Sequence, residues 1–100
     1  MDKLAAALSL CRKAGALAWG FDAVKDAVLK NNAYAVFITP DFSEGSKKRV
    51  KHFCEGIVQV EELPYKKEDL LSITRKATGV FAVCDENLAN LCLKHLQNTL

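Results

Sequence analysis

Apolar positions in this chain follow two rhythms that alternate from one end to the other. Leu4, Leu8 and Cys11 recur at helical spacing, with Asp2 placed to cap and Gly15 to terminate, which predicts an amphipathic helix over residues 2–14. A short strand, Leu17 to Trp19, follows. Gly20-Phe21-Asp22 opens a second helix with Val24, Ala27 and Val28 on one face, closed by Asn31-Asn32. Tyr34 to Thr39 reads as a buried strand. Ser43 or Ser46 begins a third helix, with Val50, Phe53 and Cys54 inward and Gly56 at its end. Ile57, Val58 and Val60 predict a third strand, stopped by Pro64. Lys66 to Lys76 predicts a fourth helix anchored by Leu70 and Ile73. Val80 to Cys84 is then the fourth strand, and Asp85 caps a last helix built on Leu88, Leu91, Cys92 and Leu96. Helices alternating with strands imply a sheet covered on both faces, a three-layer α/β/α sandwich.

Composition narrows the class. One hundred residues make one domain, and with half of them apolar and only two prolines the chain is expected to fold unaided. The four cysteines form no C-x-x-C pair and no zinc-type cluster, so buried, reduced thiols in a cytoplasmic protein are expected. Leu4 to Leu10, followed by small residues, has the outline of a signal peptide. Asp2 cancels Lys3, however, and Arg12-Lys13 interrupt the approach to any cleavage site. No run nears the roughly 18 apolar residues of a membrane span.

Charge is distributed unevenly. Between Ser43 and His52, Lys47, Lys48, Arg49 and Lys51 face Glu44 alone, in a chain whose formal net charge is +2. A local basic excess near a helix start suggests an anionic partner; a solvated helix face is the alternative. Asp41 and Asp85 both follow strands, where a metal pair is conceivable, but turn formation and capping explain each more simply. There is no G-x-x-x-x-G-K-[ST], no G-x-G-x-x-G and no G-x-S-x-G. His52-x-Cys54 on a helix point apart, so neither serves the other as base and nucleophile. An enzyme is therefore poorly supported, and no cofactor, metal or small-molecule substrate is expected. Phe21 has two readings: a member of the buried stripe with Val24 and Val28, or a ring exposed at the end of the core to stack on an unpaired base. Trp19 is expected in the core.

Three segments then carry a resemblance: Leu8-x-x-x-Arg12-Lys13-Ala14-Gly15, Trp19-Gly20-Phe21-Asp22, and Thr39-Pro40-Asp41-Phe42-Ser43-Glu44-Gly45-Ser46-Lys47-Lys48-Arg49. Together they resemble the kink-turn RNA-binding ribosomal-protein family of L-seven-Ae and L-thirty-e type, most closely its small bacterial YlxQ-like branch. The resemblance implies a mixed four-stranded sheet and a monomeric partner of structured, ribosomal RNA. It also implies two RNA-contacting surfaces. The first is Gly20, Phe21, Asp22, Ala23 and Asp26, with Lys25 adjacent; the second is the loop Lys76, Ala77, Thr78 and Gly79. Lys47, Lys48 and Arg49 would add phosphate contacts. The family's G-x-N-E-x-x-K pattern would put asparagine, glutamate and lysine at positions 22, 23 and 26, where this chain has Asp22, Ala23 and Asp26. A non-catalytic RNA-binding module is the first expectation. The second is a protein-interaction adaptor that kept the fold and lost kink-turn recognition.

Overall fold

Strand alternation sorts the core before any helix is placed. In the computed structural model, which describes residues 2–99, strand β1 spans Leu17–Trp19, β2 Ala35–Ile38, β3 Val60–Glu62 and β4 Val80–Val83. Their order across the sheet is β1-β4-β2-β3, with β4 antiparallel to β1 and β2, and β3 parallel to β2. Successive residues of β2 and β4 face opposite sides. Ala35, Phe37, Phe81 and Val83 join one buried cluster, while Val36, Ile38, Val80 and Ala82 join another. Helices α1 (Lys3–Lys13) and α5 (Glu86–Thr99) cover the first side, through Leu4, Leu8, Cys11, Cys92 and Leu96. Helices α2 (Phe21–Leu29) and α3 (Glu44–Cys54) cover the second, through Val24, Val28, Val50 and Cys54. The expected three-layer sandwich with a mixed four-stranded sheet is the fold.

Local chemistry fixes the boundaries. Asp2 Oδ1 accepts the Ala5 N–H at 2.9 Å and the Tyr65 hydroxyl, and Asp85 Oδ1 accepts the Leu88 N–H at 2.9 Å. Ser43, not Ser46, caps α3, its Oγ accepting the Ser46 N–H at 3.2 Å.

Three expected features differ. The third strand begins at Val60 because the Ile57 and Val58 amides both bond to the Cys54 carbonyl, closing α3 instead of pairing with β2. Ile57 is left exposed. The single helix expected over Lys66 to Lys76 is a 3-10 turn, Lys67–Leu70, followed by one turn of α4 (Leu71–Thr74). Arg75, at φ 63°, ends it. Its anchors, Leu70 and Ile73, are buried as expected. Trp19 is half-buried, its ring covered by the Arg12 guanidinium at 4.8 Å. The four cysteines are free thiols; Cys11, Cys54 and Cys92 are buried, and the Cys11 and Cys92 sulfurs lie 3.7 Å apart between α1 and α5.

Candidate nucleic-acid interface

Sheet topology gathers the predicted loops. Because β4 runs against both β1 and β2, Trp19 lies opposite Phe81 and Ile38 opposite Val80. The outgoing ends of β1 and β2 therefore meet the incoming end of β4. Two backbone bonds lock the junction: Gly20 N–H to the Val80 carbonyl at 3.1 Å, and Thr39 N–H to the Gly79 carbonyl at 2.9 Å. Gly20-Phe21-Asp22, the turn from Pro40 to Ser43, and the loop Lys76 to Gly79 thus share one end of the sheet.

Gly20 holds φ 93° and ψ 154°, a region closed to other residues although a Cβ would meet nothing within 4 Å. This conformation starts α2 directly behind β1. No side chain caps α2, so its first-turn amides lack a side-chain acceptor, and Asp22 is the acidic residue in that turn. Asp22 and Ala23 are exposed. Asp26 pairs with Lys30 at 3.2 Å across one turn.

The loop before β4 divides in two. Lys76 and Ala77 are exposed, whereas Thr78 and Gly79 are buried. The hydroxyls of Thr74 and Thr78 both donate to the Lys76 carbonyl, at 2.8 and 3.1 Å. Gly79 lies beneath Phe42, where an added Cβ would fall 2.2 Å from Cδ1 of that ring. Its lack of a side chain is required by this loop packing. Asp41 accepts the Lys67 amide at 3.2 and 3.3 Å and so ties the same turn to the 3-10 segment. Among the described residues no group of three or more His, Cys, Asp or Glu side chains could hold a metal ion.

The basic cluster is rearranged relative to the sequence reading. Lys47, 12% exposed, turns back so that its Nζ donates to the Pro40 carbonyl at 3.0 Å and sits 3.4 Å from Glu44 Oε1. It braces the Pro40 turn and is not an outward cation. Lys48, Arg49, Lys51 and His52 form the exposed side of α3 instead. Helical spacing carries the signal for this: position 47 precedes Val50 by three and Cys54 by seven, which puts it on the buried stripe, while 48, 51 and 52 share the opposite face. Among the described residues no carboxylate pairs with Lys25, Lys48, Arg49 or Lys51.

Phe21 settles between its two readings. It is half-buried between α2 and α3, edge-on to Phe53 at 5.6 Å and 81°, with the Arg49 guanidinium 5.9 Å from its ring. The two rings line a groove of about 420 Å³ with Lys25, Leu29, Arg49 and His52. On the far side of α3 a second hollow, about 520 Å³, lies between Lys48, Lys51 and the edge strand at Val60.

The fold has solved counterparts. A protein with unknown function from Bacillus halodurans superposes with a TM-score of 0.85 at 21% identity, covering 97% of this chain and 99% of its own. The Giardia lamblia 15.5kD RNA binding protein superposes with a TM-score of 0.72 at 17% identity, covering 98% of this chain and 88% of its own. No protein-family model matches the chain, and no curated protein matches it at a significant level.

Proposed function

We infer that this chain is a non-catalytic RNA-binding module of the kink-turn type, a small bacterial YlxQ-like protein that works as a cytoplasmic monomer on structured, ribosomal RNA. The observation that carries the reading is the junction of Gly20-Phe21-Asp22 with Lys76-Ala77 at one end of the sheet. An uncapped helix start with a glycine approach there adjoins an exposed loop whose carbonyl is held by two hydroxyls. Backbone amides at a helix start suit phosphate, glycine lets a backbone come close, and a rigid loop suits a displaced nucleotide. The likeness to an RNA-binding protein of Giardia supports it. Lys25, Lys48 and Arg49 extend a positive field beside this end.

The test is titration of a kink-turn RNA and a duplex of equal length over a range of salt. Binding should favour the kink-turn and weaken with salt. Lys48→Gln with Arg49→Gln should then weaken both RNAs alike and reduce the salt slope by roughly two units. Equal, salt-insensitive binding of both RNAs would overturn the reading. The exposed acids Asp22 and Asp26, in place of the neutral and basic residues the pattern asks for, favour the adaptor reading as the one that would then stand.

A further inference from the structure

We propose that the α2–α3 groove receives an unpaired nucleotide that adjoins the structured element bound at the sheet end, a role that rests on the RNA-binding reading and adds a second subsite to it. Two half-buried phenyl rings, Phe21 and Phe53, form its apolar wall together with Leu29, which is 57% exposed. Lys25, Arg49 and His52 complete the lining. Solvated faces rarely place large apolar groups and unpaired cations around one hollow, whereas single-stranded nucleic acid needs both, rings for the base and cations for the backbone. The groove's volume of about 420 Å³ is in the range of small-ligand sites.

Its direction supports the same occupant. Phe21 is the first residue of α2, directly after Gly20, and Lys25 and Leu29 follow it at intervals of four. The groove therefore starts at the loop junction and runs down α2 for about 12 Å. Arg49, His52 and Phe53 supply the facing wall from α3. A strand leaving the loops would pass the exposed Asp22 at the mouth and then meet Lys25, Arg49 and His52, since no acidic side chain lines the groove itself and Asp26 is paired with Lys30. An acidic peptide shares the charge requirement, but it would not account for the continuity with the sheet-end loops.

The experiment uses the full chain and three probes at one salt concentration: a blunt kink-turn RNA, the same RNA with four unpaired uridines on one or the other end, and a uridine octamer. One of the two extensions should tighten binding at least about fivefold over the blunt form, the scale of one stacked base. Phe53→Leu should remove that gain and leave affinity for the blunt RNA unchanged. Amide shifts on adding the extended RNA should include Leu29 and His52, which reads the groove in the unaltered protein should Phe53→Leu melt early. No gain from either extension, or a gain that persists in Phe53→Leu with Leu29 and His52 unmoved, overturns the proposal and leaves the loop site standing. If the blunt RNA does not bind, the loop reading fails by itself, and the octamer then decides the groove through the same two amides. Shifts there from an acidic helical peptide and none from the octamer would assign the groove to a protein partner instead.

Discussion

Gly79→Ala reads the crossing of two loops directly. Gly79 is not among the residues with positive φ, so alanine is admissible there on conformational grounds and any cost arises from contact. The new Cβ would lie 2.2 Å from Cδ1 and 2.8 Å from Cγ of Phe42, and 3.1 Å from Cε of Lys67. Carbon atoms settle at about 3.5–4.0 Å, so the phenyl ring has to withdraw by more than about 1 Å. The Lys67 stem swings aside easily. Phe42 does not, because it packs on the α2–α3 side of the core and its turn is held by Lys47 on the Pro40 carbonyl and by the Lys67 amide on Asp41. Overpacking of this kind costs about 1–3 kcal/mol, and the loss of glycine's freedom in the unfolded chain offsets about 0.4–1 kcal/mol. A net destabilisation of about 1–2 kcal/mol lowers the Tm of a domain this size by about 5–15 °C. Thermal unfolding of Gly79→Ala, Phe42→Ala and the double variant checks it. With the ring gone the clash is gone and only the unfolded-chain gain remains, so the double variant should be at least as stable as Phe42→Ala alone, a coupling of about 1 kcal/mol or more. An unchanged Tm for Gly79→Ala, or strict additivity in the cycle, would refute the packing role and return Gly79 to the candidate contact surface.

Replacing Asp26 by lysine exchanges a repulsion of phosphate for an attraction, on the order of 1–2 kcal/mol at exposed dielectric. It should tighten kink-turn RNA binding roughly five- to thirtyfold at low salt, while loss of the exposed pair with Lys30 costs stability no more than about 0.5 kcal/mol; an affinity that does not rise removes α2 from the interface. Gly20→Ala should destabilise by about 1–3 kcal/mol through its backbone conformation alone, seen as a lower denaturation midpoint with the slope unchanged. The bond from the Ala5 amide, then that from the Tyr65 hydroxyl, holds the Asp2 carboxyl below its ordinary value of 3.8. The stability this adds is complete above 3.8 and fades as pH falls through the lower folded value, so the Tm gap between wild type and Tyr65→Phe should be widest above about pH 4 and close in acid. A gap that widens in acid contradicts the bond. In a thiol-labelling time course read by mass spectrometry, half-exposed Cys84 should react first, and Cys11, Cys54 and Cys92 only on unfolding; burial pushes the Cys54 thiol up to about 11.

Elements with a strong period were legible in the sequence, and those set by long-range bonds were not. Leu17 to Trp19 stands as a strand with the bounds its pattern predicts, and Asp2 and Asp85 cap the helices they precede. The segment from Lys66 to Lys76 has anchors at helical spacing, yet besides the local bond of the Lys66 amide to Asp69 its start is held by Asp41, 26 positions away, accepting the Lys67 amide. No local window contains that bond. The same holds for Gly79, whose need for a bare Cα comes from Phe42. Lys47 is the opposite case, since its inward direction follows from the stripe of Val50 and Cys54, and a count of cations alone overlooks the helix face they occupy.

Charges within α2 and α3 can be divided by whether the fold itself gives them a task. Asp22 and Glu44 occupy first turns, where the helix dipole favours them. Lys51 and His52 lie in the last turn of α3, the end that favours cations. With Ser43 as the cap, Glu44 opens the first turn of α3 and the basic run from Lys47 begins after it. Asp26 is taken by Lys30, and Lys47 by Pro40 and Glu44. Lys25, Lys48 and Arg49 are left over, with no carboxylate partner among the described residues and no dipole to satisfy. All three are positive. Lys25 and Arg49 line the same groove beside Phe21 and Phe53, while Lys48 borders the hollow on the other side of α3. Cations without a carboxylate partner on α2 and α3, two of them in the groove beside Phe21 and Phe53, are what the proposed anionic ligand would meet.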